Sequence, residues 1–239
     1  FDNVFQTSAT SGAQAEIALP IIMDLAESQT GKRPKTVAVI TDNTAASLSS
    51  VKRMKEGLFD DVGLELVSEE VFTPPLADAS ALVQQLRGKR PDLLFFLPTV
   101  ISDSKLILEK MREFRVQVPT ISFGIAIAEP EVLKTVDPAL LDGVMSAVAN
   151  WGVKGQEDFI KRLEDVYGEP WATQNAVSTY GDMWIFKDAL EQACSRDSKA
   201  VGDALRSMDG GPSKYYPGGT ISFDENGRRE GAGLTIIQW

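Results

Sequence analysis

Histidine is absent from all 239 residues, and cysteine occurs once, as Cys194. The first absence removes the commonest general base, the commonest zinc ligand and every histidine-dependent triad. The second excludes an internal disulfide and a thiolate metal cluster. Cys194 itself reads as a small buried residue at a helix end. Positive charge is short too. The 24 Lys and Arg stand against 34 Asp and Glu, a net charge of −10, which argues against nucleic acid as a partner. No apolar run is long enough to span a bilayer. No positively charged start leads into an apolar stretch, so no signal peptide is read here; a mature secreted chain has already lost its own. Glycine-rich phosphate loops and the G-x-S-x-G elbow are missing. These gaps weigh against an enzyme, leave open one built on carboxylates or lysine, and imply no cofactor and no metal.

What is present is an alternation. Hydrophobic residues make up 43% and charged residues 24%, enough for an ordinary globular core. Short apolar runs at Thr36–Ile40, Leu64–Val67, Leu93–Leu97, Val118–Phe123 and Val144–Ala149 read as strands. Between them lie amphipathic stretches over about Ala45–Phe59, Asp78–Arg87, Asp103–Phe114 and Glu129–Val136. Leu48, Val51, Met54 and Leu58 mark one helical face, and Asp78 reads as a helix cap. Strand starts recur about every 25 to 29 residues, the mark of βαβ units. The fold class is therefore α/β, a doubly wound parallel sheet. Ser11–Ser28 reads as an opening helix packed on that sheet.

After Trp151 the pattern changes to helices at Lys154–Tyr167, Thr173–Ala193 and Ser198–Met208, with no strand between them. A Gly/Pro-rich stretch follows. Thr220–Phe223, the turn at Asp224–Gly227 and a last strand at Leu234–Trp239 then read as a hairpin. This second half has no sheet of its own, so its amphipathic helices lack an obvious partner.

Three loops follow strands at one rim, where open α/β sheets place ligands: Thr41–Ser47, Pro98–Ser102 and Phe123–Ala126. Their small and hydroxyl residues leave room for a ligand as readily as they fill a turn. Asp42, at a strand end, is a phospho-acceptor or metal ligand on one reading. On the other it is a loop carboxylate holding nearby backbone N–H groups. Asp60-Asp61 and Glu69-Glu70 are surface charge, and Asp224–Gly227 lacks the ligand pattern of a calcium loop. Trp184 reads as core, beside Ile185 and Phe186. Trp151, at the exit from the last sheet strand, is either packing or part of a site or hinge.

The ordered set of segments resembles the type I periplasmic solute-binding proteins of branched-chain amino acid (Leu/Ile/Val) ABC transporters and their relatives for aromatic acids and amides. Phe5-Gln-Thr-Ser8 with Gln14 is similar to the entry into that family's second lobe, and Thr36–Asp42 to the lobe's first strand. Pro91-Asp92 into Phe95-Phe96 is similar to its third strand. Leu141-Asp-Gly-Val144 is similar to the entry to the strand before the crossover. Thr179-Tyr180-Gly-Asp182 with Ala189-Leu190 resembles the helix returning to the first lobe, and Thr220–Gly227 and Ile236–Trp239 the closing hairpin and strand.

The resemblance implies two α/β lobes closing on a small-molecule ligand. Residues 1–150 would form the second lobe, 151–218 the helical part of the first, and 219–239 the hinge hairpin and closing strand of the second. Most of the first lobe's sheet would precede Phe1 or come from a second chain. It also implies a periplasmic or extracellular location with the signal peptide removed, an ABC transporter permease as partner, no membrane span and no catalysis. The alternatives are a ligand-sensing receptor domain of the same fold, or an α/β enzyme using a rim carboxylate.

The gripping residues implied are Asn43, Thr44, Ala45, Ala46, Thr99, Val100, Phe123, Gly124 and Ile125, with Trp151. Relatives that bind α-amino acids offer an aromatic after the first strand and an acid after the fourth. The matching positions here are Ala45 or Ala46, and Gly124–Ala126. With no acid there for a ligand ammonium, an aromatic carboxylate becomes as reasonable a ligand as an amino-acid-like one.

Overall fold

The computed structural model describes residues 3–123, 126–152, 154–212, 216 and 220–239. They form two compact units. A sheet unit comprises Ser11–Val148 and Ile236–Trp239, and a helical unit comprises Ala149–Thr235 with the described residues before Ser11. This division differs from the expected one at two places. The first ten residues and the hairpin region group with the helices, and only the last four residues return to the sheet.

The main sheet is built of β1 (Thr36–Asp42), β2 (Glu65–Phe72), β3 (Leu93–Leu97), β4 (Thr120–Phe123), β5 (Met145–Ala149) and the closing strand β8 (Leu234–Gln238), in the order β2-β1-β3-β4-β5-β8. The pairings β1 with β2, β1 with β3, β3 with β4 and β4 with β5 are all parallel. β3 is buried along its whole length. That is why its sequence, Leu-Leu-Phe-Phe-Leu, is apolar without alternation. Successive side chains nevertheless take opposite faces. Ala38, Ile40, Leu94 and Phe96 join one core with Val83 and Leu86 of α4 (Ser80–Lys89) and Ile107, Leu108 and Met111 of α5 (Ile101–Glu113). Phe95 stacks among Phe59 and Phe123, with ring centroids 6.0 and 5.1 Å away.

The expected helix over 45–59 is interrupted. α2 (Ala45–Arg53) runs into a wide turn, Met54–Leu58, and then the short α3 (Phe59–Val62). Gly57 makes the break, with φ 120°, a conformation side-chain-bearing residues rarely adopt. The apolar face changes with it: Val51 and Met54 are buried, while Leu48 is 40% exposed. The opening helix α1 (Ser11–Thr30) lies against α2 and the turn after it rather than chiefly on the strands. Asp78 does not occupy the cap position of α4, which belongs to Ala79. Its carboxylate instead accepts from Ser80 N and Oγ, 3.1 and 2.8 Å away. The expected fourth helix of the sheet unit shrinks to α6 (Val132–Thr135).

In the helical unit, α7 (Glu157–Tyr167), α8 (Gln174–Ala193) and α9 (Ser198–Arg206) follow one another as expected. Thr173 and Asp197 cap α8 and α9 by accepting from first-turn amides. A two-stranded piece, β6 (Gly211–Pro212) paired antiparallel with β7 (Thr220–Ile221), corrects the expectation of no local sheet. The Asp224–Gly227 turn folds back at once: Asp224 N donates to Arg228 O at 2.8 Å, and Phe223 bridges Arg229. Leu234–Gln238 is thus not its hairpin partner but the β8 strand beside β5. Ile185, Ala189, Val201, Leu205, Tyr216, Ile221 and Phe223 make the unit's core. Trp184 is not part of it: it is 38% exposed, and Met183 and Phe186 are more exposed still. Cys194 is exposed rather than buried, in a left-handed conformation that ends α8. Among the described residues no helix is long and apolar enough to cross a membrane.

Candidate functional site

The strand order reverses direction at β1, which lies between β2 and β3. The crevice outside the C-terminal ends of β1 and β3 is therefore the switch point at which this class of sheet receives ligands. Thr41 pairs with Leu97 and Asp42 with Phe72, so the three strand ends finish level. The loops that leave β1 and β3 start α2 and α5 from neighbouring positions.

Asp42 binds those two loops together. It is fully buried. One carboxylate oxygen accepts from Thr44 N at 3.1 Å and Thr44 Oγ1 at 2.6 Å, and the other from Thr99 N at 2.7 Å and Thr99 Oγ1 at 2.6 Å. Burial on its own pushes the Asp42 pKa up. The donors from Thr44 and Thr99 outweigh it, and the carboxyl is held below its ordinary value. A carboxylate has about four acceptor positions, and here each meets a donor. No lone pair is left for a metal or a phosphoryl group, so the reading of Asp42 as a holder of nearby N–H groups is the one the geometry supports. Ser47 adds a strut from α2 to β3 by donating from Oγ to Leu97 O at 3.2 Å. Thr44 accepts from Ser47 N and so caps α2.

The clamp decides what the rim presents. Both rim threonine hydroxyls are spent on Asp42. Ala45, Ala46, Thr99 and Val100 are exposed, as is Asn43, whose Nδ2 donates to Thr73 Oγ1 at 2.9 Å. α5 starts at Val100 with no side-chain cap. The first-turn amides of α2 and α5 have no acceptor within their own helices. The surface is thus small, uncharged and rich in backbone donors. Phe123 is buried and turned edge-on against Phe95, so its ring serves the core. Gly124 and Ile125 lie outside the described residues. Trp151 is half-buried and belongs to the helical unit.

A sequence profile of the family described as periplasmic binding protein matches residues 1–239. The chain belongs to the periplasmic binding protein family. A curated relative from Brucella suis, named Leu/Ile/Val-binding protein homolog 7, is 24% identical over 247 residues, covering 100% of this chain and 61% of the relative. The chain therefore spans about three fifths of the relative's length. Among solved structures, a putative branched-chain amino acid ABC transporter protein from Silicibacter pomeroyi superposes with a TM-score of 0.80 at 17% identity, covering 98% of this chain and 63% of that one. A leucine binding protein from Thermotoga maritima gives 0.76 at 18% identity, with 96% and 62% covered. At these identities the structures establish a shared fold. The type I periplasmic-binding architecture expected of this periplasmic binding protein, a mostly parallel sheet with flanking helices, is the fold of these neighbours.

The helical unit holds a second polar cluster that the sequence did not suggest. Asn150 is buried with φ 49°. Its Nδ2 donates to Ser178 Oγ at 3.1 Å, and its Oδ1 accepts from Arg229 Nη1 at 3.4 Å. The Arg229 guanidinium lies 4.8 Å from the centre of the Tyr216 ring. The single Tyr216 hydroxyl proton lies between two acceptors, Ser178 O and the Asp182 carboxylate. Burial first, then the bond to Asp182, pushes the Tyr216 pKa up, so the phenol stays neutral. Ala149 N donates to Gln174 Oε1 at 2.7 Å, fixing the chain where it enters this unit. These groups satisfy one another and serve as a structural anchor.

Proposed function

We propose that the chain is the solute-gripping part of the substrate-binding component of an ABC uptake transporter, working outside the cytoplasm and performing no chemistry. The sheet unit is assigned to the second lobe and the helical unit to the first. The remaining cleft wall is assigned to first-lobe sequence or a second chain, and a membrane permease receives the loaded form. The observation that carries this reading is the Asp42 clamp, which fixes two loops at the switch point and consumes the rim's acid. On the sheet unit, Asn43, Thr44, Ala45, Ala46, Thr99 and Val100, with Gly124 and Ile125, are the proposed ligand contacts.

With Asp42 fully occupied, the described rim offers amide donors and methyl groups and no partner for an ammonium. An organic carboxylate, aromatic rather than amino-acid-like, matches that surface best. At a ligand concentration about 100-fold above Kd the protein gains about 2.7 kcal/mol, a melting shift of about 5–10 °C. The test compares benzoate-type acids with leucine on the complete protein. A shift with leucine alone overturns the ligand class. Ala46→Trp, which fills the rim from an exposed position, is expected to weaken binding at least ten-fold while the unliganded melting point holds. Unchanged binding in that variant overturns the site.

A further inference from the structure

At the other end of the sheet, before β3 and β4 begin, three arginines line one pocket of about 350 Å³: Arg87, Arg90 and Arg115. Its remaining wall is Leu86, Pro91, Val116, Gln117 and Val118. The β3 and β4 strands run parallel, so their starts lie opposite the rim described above. Five residues of strand, about 17 Å, separate the two ends.

Two features set this pocket apart. The first is backbone conformation. Arg90 ends α4 with φ 49°, and Arg115 follows α5 with φ 54°. Arg115 N donates to Arg112 O and Val116 N to Met111 O, at 3.1 and 2.8 Å, a helix-ending motif whose left-handed position ordinarily takes glycine. The chain uses glycine for that task after α1, α3 and α7, at Gly31, Gly63 and Gly168. At the two helix ends that meet at this pocket it keeps arginine, against the steric preference of the backbone. Among the described residues, Cys194 is the other non-glycine residue in this conformation at a helix end, in the helical unit.

The second feature is charge. Among the described residues none of the three guanidinium groups has a carboxylate partner, although the chain carries a net charge of −10. The neighbouring acids are committed elsewhere. Asp92 accepts from Lys35 N and from Thr36 N and Oγ1, at 2.9, 3.0 and 3.1 Å. Glu113 pairs with Lys110 at 2.7 Å, and Asp137 with Arg112 at 2.8 Å. Compensation of the helix dipoles accounts for basic residues near both C-termini. It does not account for the left-handed arginines or for their meeting with Arg87 at one concavity.

We propose that this pocket binds a phosphate group. Guanidinium forks match phosphate oxygens in bidentate pairs. Three exposed arginines lining one cavity suit a multiply charged, several-oxygen anion better than a single carboxylate, and the aliphatic part of the wall suits the organic part of a phosphate ester.

The test titrates the complete protein with inorganic phosphate and, separately, with phosphatidylglycerol vesicles. Binding of inorganic phosphate assigns a free phosphate or phosphate ester, and binding of vesicles alone assigns a lipid headgroup. Either is expected to fall at least about ten-fold in Arg90→Gly/Arg115→Gly and to weaken with salt. Glycine is the easier residue at both positions, so the melting point of that variant holds or rises. Arg87→Gln, which leaves the left-handed positions untouched, weakens binding as well. The rim variant Ala46→Trp leaves phosphate binding unchanged, so this proposal and the solute-binding proposal fail separately. No binding of either probe, or equal binding by the parent and the double variant, overturns the site.

Discussion

Asp42→Asn is the most searching single substitution in the sheet unit, because it changes one atom's chemistry while keeping the side chain's shape. Asparagine retains one acceptor oxygen and replaces the other with an NH2 donor. With its oxygen left toward Thr44, the amide faces the two Thr99 donors at 2.6 and 2.7 Å. The Thr99 hydroxyl can rotate and accept, but its backbone N–H cannot. An N–H stranded in this way costs about 1–3 kcal/mol, and the surviving bonds lose their ionic reinforcement. Relief of the buried charge returns part of that cost. The expected net loss is about 2 kcal/mol at neutral pH, a fall in melting point of about 4–8 °C.

The pH dependence supplies a sharper check. The folded pKa of Asp42 is depressed, so its contribution is fully present above the unfolded value of about 3.9 and is lost as pH falls through the lower folded value. The difference between parent and variant is therefore expected to shrink as the pH falls below about 4 and through the depressed folded value. Urea denaturation followed by circular dichroism at several pH values measures it. A loss below about 0.5 kcal/mol at pH 7, or one that stays constant into acid, refutes the clamp.

Two glycine substitutions separate backbone strain from crowding. Gly57→Ala meets no atom within 4 Å but must adopt φ 120°, so a loss of about 1–3 kcal/mol there is purely conformational; a neutral effect in chemical denaturation means the wide turn has moved. Gly181→Ala in α8 has ordinary helical geometry, but its new Cβ falls 2.5 Å from the Tyr216 ring. A loss of about 1–3 kcal/mol is expected there, with a changed near-ultraviolet spectrum as the ring shifts, and an unchanged spectrum with unchanged stability refutes the close packing.

What the sequence revealed and what it hid divide along the distance over which each feature is specified. β3 is legible because a strand covered on both faces needs five apolar residues in a row, and nothing remote alters that demand. The helix over 45–59 misled because apolar spacing of three and four continues straight through Gly57. The spacing records which side chains are apolar; φ at one glycine decides whether they stay on one face. The Asn-Gly turn was read correctly as a reversal but given the wrong partner. A turn fixes only the residues beside it, and Leu234–Gln238 is claimed by β5, a strand about ninety positions away.

The rim shows the same limit from the side of function. Asp42 at a strand end and Thr44 two residues later form a local pattern, and that half of the clamp can be read. The other half comes from Thr99, 57 positions on, and it is this half that converts a possible catalytic acid into a fully hydrogen-bonded strut. Trp184 and Phe186 fail for a related reason. Their apolarity predicts burial, yet Trp184 is 38% and Phe186 47% exposed, and the Trp184 ring packs against Tyr180 and Lys187 of its own helix, contacts that a count of apolar residues does not reveal.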